Sequence, residues 1–248
     1  MKWDAEQYTN NFAFVHQYGE DVLQLLDIRP NMRVLDLGCG NGALTKKIAD
    51  LGVQAVGVDM SEELLSVAKA SYPSIAFLHQ DATRLSLDEP VDAIFSNAVF
   101  HWIPEAKHAR MLSRVFASIK AGGQFVFEFG GYGNNRLIHL ALEKGFSDRK
   151  LSYQMPFYFP TIAQFATGLE SAGFEVRYMT LFPRLTELTG ENGLADWIRM
   201  FIKTPFQGLP SELTEQIIQE AVTRLQPDLH RDGKWYADYV RVRGKAVR

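Results

Sequence analysis

The sequence predicts an α/β fold, a doubly wound parallel sheet, and three observations carry that prediction. Between Arg33 and Phe129, five apolar runs of strand length alternate with segments of helical periodicity. The first run, Val34 to Leu37, stops at Gly38-Cys39-Gly40-Asn41-Gly42, after which Leu44, Ile48 and Leu51 recur at helical spacing: strand, glycine turn, helix. The second run, Val53 to Val58, is almost wholly apolar, as expected of a strand buried on both faces.

The turn sets the first functional expectation. Glycines let backbone N–H groups approach a ligand closely, and the helix start behind them adds the positive end of its dipole. Asp59 lies 23 residues beyond Asp36, where a second parallel strand would end beside the first. A carboxylate there accepts two hydrogen bonds from a ribose diol. Together these features predict a nucleoside-bearing cofactor across the strand ends. Gly38-x-Gly40-x-x-Ala43 fits the loose dinucleotide fingerprint, and Asp36-x-Gly38-x-Gly40-x-Gly42 fits a second cofactor class equally well.

Composition narrows the partners. With 248 residues and 46% hydrophobic content the chain can bury one large core, so a single domain over 1–248 is expected. Against 26 Lys and Arg stand 29 Asp and Glu, a net charge of −3 that gives no field favouring nucleic acid or an anionic membrane. The expected partner is a small molecule. Cys39 is the only cysteine, so it has no internal disulfide partner, and it reads as a small apolar filler of the turn. No signal pattern opens the chain and no apolar run approaches membrane-spanning length, so a cytoplasmic location without membrane insertion is expected. His16, His79, His101, His108, His139 and His230 are scattered without ligand spacing, so no metal site is expected.

Taken in order, residues 1–30 read as a helical cover, with Phe12, Val15, Tyr18, Val22 and Leu25 on one stripe and Tyr8, His16 and Tyr18 as possible cleft contacts. Residues 31–130 read as the cofactor-binding core. Ser61 caps a helix carrying Glu62 and Glu63 in its first turn, and Pro73 breaks it. Ile75 to Leu78 is a third strand, followed by Asp81-Ala82, an acid and a backbone N–H suited to an adenine edge. Val91 to Phe95 is a fourth, ending at Asn97, His101 and Trp102, where polar groups face the cleft of an open parallel sheet. A long helix is expected from Pro104 to Lys120, ended by Gly122-Gly123, and then a fifth strand, Gln124 to Phe129, holding Glu128. Thr161 and Gln164 form a capping box, and Phe174 to Leu181 reads as a strand. Two amphipathic helices, around Trp197 and around Ile217, suggest a helical lid over 183–232. Trp235 to Val247 closes the chain as a strand whose Arg241, Arg243 and Lys245 alternate outward.

With these motifs placed, the chain resembles the class I S-adenosylmethionine-dependent methyltransferases, and within them the trans-aconitate methyltransferase group, through FSNA running into His101-Trp102 and the tryptophan-bearing lid. The resemblance implies a Rossmann-like, seven-stranded sheet in the order 3-2-1-4-5-7-6 with its last strand antiparallel. It implies S-adenosylmethionine as cofactor and S-adenosylhomocysteine as product. Gly38 and Gly40 would flank the methionine part, with Asp36 orienting the turn and the amino group, Cys39 counted with the same cofactor-binding turn, and Asn97 offering its backbone carbonyl near the amine. Asp59 would hold the ribose, Met60 the adenine face, and Asp81 and Ala82 the adenine edge. A nicotinamide cofactor explains Asp59 equally well but gives no reason for Asp81, Asn97 and the closing strand.

For the chemistry, His101 and Glu128 are the candidate general bases by position, needed only if the acceptor is not already ionised. Trp102, Trp197 and Arg199 are the candidate acceptor contacts, Arg199 because a guanidinium grips a carboxylate with two hydrogen bonds. The expected activity is O-methylation of a small carboxylic acid. The alternatives are a lipid quinone or carrier-bound acyl acceptor, suggested by Phe157, Tyr158, Phe159 and Phe206, and a catalytically idle cofactor-binding module.

Overall fold

The computed structural model describes residues 14–248, with side chains described from residue 19 onward. Tyr8, His16 and Tyr18, the expected cleft contacts of the N-terminal cover, therefore lie outside what is described. The parallel strands are β1 (Arg33–Leu37), β2 (Gln54–Asp59), β3 (Ala76–His79), β4 (Val91–Asn97) and β5 (Ile119–Gly130). They are joined by β6 (Glu175–Leu188), the two-residue β7 (His230–Arg231) and β8 (Lys234–Val247). The sheet runs β3-β2-β1-β4-β5-β8-β6, with β7 paired to β8 alone. β8 is antiparallel to both neighbours, and the added β7 is the one departure from the expected order.

Each face of the sheet buries its own layer. On one side lie α1 (Phe14–Leu23) and α2 (Ala43–Asp50), whose Val22, Leu44 and Ile48 pack on Val34, Phe95 and Val126. On the other, Phe125, Phe127 and Phe129 of β5 meet Phe100 and Phe165, with Phe129 and Phe165 edge to face at 4.8 Å between centroids. Helix α3 (Glu62–Ser71) starts at Ser61, whose side chain accepts from the Leu64 N–H, and the expected capping box of Thr161 and Gln164 opens α6 (Ile162–Ser171).

Three boundaries differ from expectation for physical reasons. The helix expected from Pro104 is α4 (His108–Ala117), because the His108 ring binds the Phe100 and Ile103 carbonyl oxygens at 3.1 Å each and holds the preceding residues in short 3₁₀ turns. Strand β6 runs through Pro183 to Leu188. It is the edge strand, where proline's missing N–H breaks no ladder bond. The two helices expected as a lid therefore begin later than 183, as α7 (Gly193–Phe201) and α8 (Ser211–Leu229), and they share an apolar core with α5 (Arg136–Ser147) and the start of β8.

The closing strand corrects two expectations at once. Arg243 does not face solvent, and Glu128 is not open to the cleft: the Glu128 carboxylate, 2% exposed, receives Arg184 Nη1 and Nη2 at 2.6 and 3.0 Å and Arg243 Nε at 2.7 Å. Glu128 ties β5, β8 and β6 together and is occupied by two guanidinium groups, so the general-base role does not suit it. Replacing Glu128 by Ala strips both arginines of a buried carboxylate, and the stability to unfolding in urea is expected to fall by about 3–5 kcal/mol. A loss below about 1 kcal/mol would mean that the triad is not a structural tie.

Candidate active site

Parallel strands direct their C-terminal ends to one edge of the sheet, and a cleft of about 1210 Å³, its open mouth included, follows that edge. Its lining reads out in strand order. Gln80, Asp81 and Ala82 follow β3, Asp59 and Met60 end β2, and Leu37, Gly38 and Gly40 end β1. Asn97 ends β4 and Ala98, Val99, His101, Trp102 and Ile103 follow it, Asn134 and Asn135 come after β5, and Tyr239 and Arg241 come from β8. Phe157 and Phe159 of the loop before α6, with Trp197 and Phe201 of α7, form the wall at the β8 end.

At the β1 end the glycines are required by geometry. Gly38 sits at φ +81°, and a Cβ there would lie 2.1 Å from Val99 Cγ2, so only glycine lets the β4 loop close against the turn. Gly40 sits at φ +56°, where a Cβ would meet nothing nearer than Leu64 Cδ1 at 3.9 Å; this is open cradle on the cleft. The Gly40 N–H donates to Asp59 Oδ2 and the Ser61 N–H to Asp59 Oδ1, both at 2.8 Å, which fixes the carboxylate at the rim. Burial pushes the Asp59 pKa upward against the pull of the Ser61, Gly40 and Met60 N–H groups. Asp81 is fixed likewise, accepting from the Thr83 N–H at 2.8 Å.

Two of the expected cofactor residues support the turn from behind rather than lining the cleft. Asp36 is buried and accepts from Thr45 Oγ1 at 2.6 Å; burial raises its pKa to about 7, with Thr45 pulling it down and Asp59 adding to the rise. The Cys39 side chain packs with Leu65, Ala68 and Phe77, and burial pushes its thiol far up, away from any nucleophile role. Gly38, Gly40, Asp59, Met60, Asp81, Ala82 and Asn97 all line the cleft.

At the β8 end, His101 and both expected tryptophans line the cleft. The Gly130 N–H donates to His101 Nδ1 at 3.3 Å, so the neutral ring carries its proton on Nε2 and presents a donor. Burial, with Arg241 and His108 nearby, lowers the His101 pKa well below the usual value, and the ring stays neutral at physiological pH. Trp197 Nε1 donates to the Tyr239 hydroxyl at 2.7 Å, and Trp102 stacks edge to face on Phe157 at 4.8 Å. Arg199 is not brought to the cleft: it lies on the outer side of α7, paired with Asp196 and Glu215. Arg241, expected to point outward, is 7% exposed, lines the cleft and lies 4.2 Å from the Tyr239 ring centroid.

Arg241, Tyr239, Asn134, Asn135 and Phe201 are among the lining residues that sequence reasoning missed, whereas Phe157 and Phe159 were named only for an alternative, apolar acceptor. A signal existed for Asn134 and Asn135, which lie in the turn after the fifth strand. For Arg241 the signal is the antiparallel sense of β8, which places the early part of that strand, paired Arg241 to Gly130, at the cleft edge.

A Rossmann-like sheet with a glycine cradle, a fixed acid after β2 and a second after β3 defines a protein that binds a nucleoside-bearing cofactor across its strand ends. Residues 34–123 match the family model described as a methyltransferase domain. The chain is 28% identical to an uncharacterized methyltransferase of Schizosaccharomyces pombe, over 97% of this chain and 96% of that one. It is 28% identical to a trans-aconitate 2-methyltransferase of Methylobacterium nodulans, over 82% and 81% of the two chains. Among solved structures, a methyltransferase-like protein from Bacillus halodurans superposes with a TM-score of 0.65 at 19% identity, covering 93% of this chain and 98% of that one. These likenesses support a class I S-adenosylmethionine-dependent methyltransferase with S-adenosylmethionine as its cofactor. The cradle at Gly40 and the two rim carboxylates fit that group.

Asp59→Ala removes the carboxylate from the rim and frees the Gly40 N–H as well. It is expected to weaken S-adenosylhomocysteine binding by about 1–3 kcal/mol in calorimetry, the scale of leaving hydrogen-bonding groups unpaired. Unchanged affinity would contradict the assignment of Asp59 to the cofactor.

Proposed function

We propose that the chain methylates a small carboxylic acid on oxygen. The observation that carries this reading is the chemistry of the β8 end of the cleft. Among the described residues, Arg241 is the only Lys or Arg in the lining, and no carboxylate side chain lines that end. A hydroxyl or carbon acceptor needs a proton removed, whereas a carboxylate arrives ionised and needs only a cation and donors to hold it. The relative named for trans-aconitate acts, by that name, on an acid, and this supports the same acceptor class here.

When bound, S-adenosylmethionine supplies an electrophilic methyl group whose transfer is an in-line displacement, so the protein's part is alignment and exclusion of water. In this reading Asp59 receives the ribose hydroxyls, Met60 covers the adenine face, and Asp81 with the Ala82 N–H reads the adenine edge. Gly38, Gly40 and Asn97 border the methionine portion. Arg241 holds a carboxylate of the acceptor, and the Nε2–H of His101 donates to an acceptor oxygen, positioning it rather than removing a proton. Trp102 and Trp197 wall the site against water.

Arg241→Gln is expected to raise KM for the acid about ten- to a hundredfold, the equivalent of a charge-assisted hydrogen bond, while S-adenosylhomocysteine affinity stays the same. Because His101 is already neutral, it adds no ionisation near 6.5 to the pH profile of kcat/KM, and His101→Gln is expected to leave the shape of that profile unchanged. An unchanged KM in Arg241→Gln, or an acid limb near 6.5 that disappears in His101→Gln, would contradict these roles.

A further inference from the structure

Aromatic rings follow one another around the β8 end of the cleft. From Tyr239 the line runs through Trp197, Phe201, Trp102 and Phe157 to Phe159, with successive centroids 6.0, 5.3, 6.3, 4.8 and 5.4 Å apart. All of them line the cleft, and Trp102, Phe157 and Phe159 are only half-buried, so they keep surface that a ligand can cover. Tyr239, Trp197 and Phe201 are buried and back the wall. The loop carrying Phe157 and Phe159 is pinned by its main chain. The Tyr158 N–H donates to the His101 carbonyl oxygen at 3.0 Å, and the Tyr132 N–H to that of Pro160 at 2.8 Å. Phe159 seats directly on β5, where a Cβ at Gly130 would lie 2.7 Å from its Cε1. The wall is therefore set by the fold before any acceptor enters.

Charge at this end is sparse. Among the described residues, Arg241 is the only Lys or Arg in the lining, 4.2 Å from the Tyr239 ring centroid. The amides of Asn97, Asn134 and Asn135 are uncharged, and the carboxylates of the lining, Asp59 and Asp81, repel further anionic groups. One guanidinium compensates one carboxylate. A second carboxylate on the acceptor would enter a ring-lined space with no further cation to meet it, which costs more than the ring contacts return.

We infer that the acceptor is an aromatic monocarboxylic acid, its carboxylate toward Arg241 and its ring packed against Trp102, Phe157 and Phe159. The inference rests on the carboxylic-acid reading and narrows it to one acid group on a flat apolar body. Ring edges against ring faces gain attraction beyond the area they bury, and a saturated ring of the same carbon count has neither the quadrupole nor the flatness to do so. In the transfer, the acceptor oxygen forms the new C–O bond with its own lone pair, the methyl–sulfur bond breaks with its electrons left on sulfur, and no proton moves.

The test measures methyl-ester formation at neutral pH, with S-adenosylmethionine, from benzoic, cinnamic, cyclohexanecarboxylic and trans-aconitic acids. The two aromatic acids are expected to exceed cyclohexanecarboxylic acid about tenfold in kcat/KM and the tricarboxylic acid about a hundredfold. Phe157→Leu, which keeps an apolar side chain and removes the ring, should cut the benzoic to cyclohexanecarboxylic ratio to about twofold or less, and Phe159→Leu should lower it too. A variant that merely loosened the fold would lower turnover of all the acids together. Equal turnover of benzoic and cyclohexanecarboxylic acids, a preference for trans-aconitic acid, or an aromatic preference undiminished in both variants would overturn this inference and leave the carboxylic-acid reading standing. If no acid is methylated while S-adenosylhomocysteine still binds, that reading falls and the inference with it.

Discussion

The site depends on the hydrogen bond from the Gly40 N–H to Asp59 Oδ2, which joins the turn after β1 to the end of β2. The Gly38 and Cys39 N–H groups both donate to the Val58 carbonyl oxygen, at 2.7 and 3.0 Å, so the turn is folded onto the neighbouring strand before any ligand enters. That arrangement needs left-handed backbone at Gly38 and Gly40 and no side chain between the turn and Val99. It also requires β1 and β2 to pair in parallel register, Leu37 beside Val58. Strand register, turn conformation and the placement of the Asp59 carboxylate are one constraint.

The other half of the cleft is set by β8 lying between β5 and β6. Its antiparallel sense brings Tyr239 and Arg241 to the same edge of the sheet as the parallel strand ends, and Glu128 secures that insertion by binding Arg243 on β8 and Arg184 on β6. The three arginine and glutamate residues thus act structurally, and one turn of the strand pattern away Arg241 faces the cleft. The helices of the cap complete the wall through Trp197, whose indole N–H is fixed on Tyr239. Ala98 at the end of β4 adopts φ +61°, an uncommon conformation for alanine, and its N–H donates to the Glu128 carbonyl oxygen at 2.7 Å, so the cleft floor too is tied to this strand.

What was legible in the sequence is what depends on local pattern. The strand, glycine turn and helix from Arg33 to Asp59, the caps at Ser61 and Thr161, and the acid after β3 all follow from short-range spacing, and the family resemblance drawn from those motifs holds. What was not legible depends on contacts between residues far apart in the chain. Arg241, Arg243 and Lys245 share one face of β8, and periodicity alone does not say whether that face meets solvent, a cleft or a partner strand. Glu128 looks like a base at a strand end until Arg184 and Arg243, 56 and 115 residues away, are seen to occupy it. Arg199 looks like an acceptor contact beside Trp197, but the helix turns the two side chains apart, one into the core and one toward Glu215. Pro183 hid the length of β6 because its tolerance depends on that strand being at the edge.

On the proposed reading, this cleft delivers a methyl group from S-adenosylmethionine to a carboxylate. That transfer is tested most directly by incubating the protein with methyl-labelled S-adenosylmethionine and a panel of small carboxylic acids, phenols, amines and active-methylene compounds, and identifying the labelled product by mass spectrometry. The account predicts label in a base-labile methyl ester of an acid. Label confined to a nitrogen, a carbon or a phenolic oxygen would contradict it.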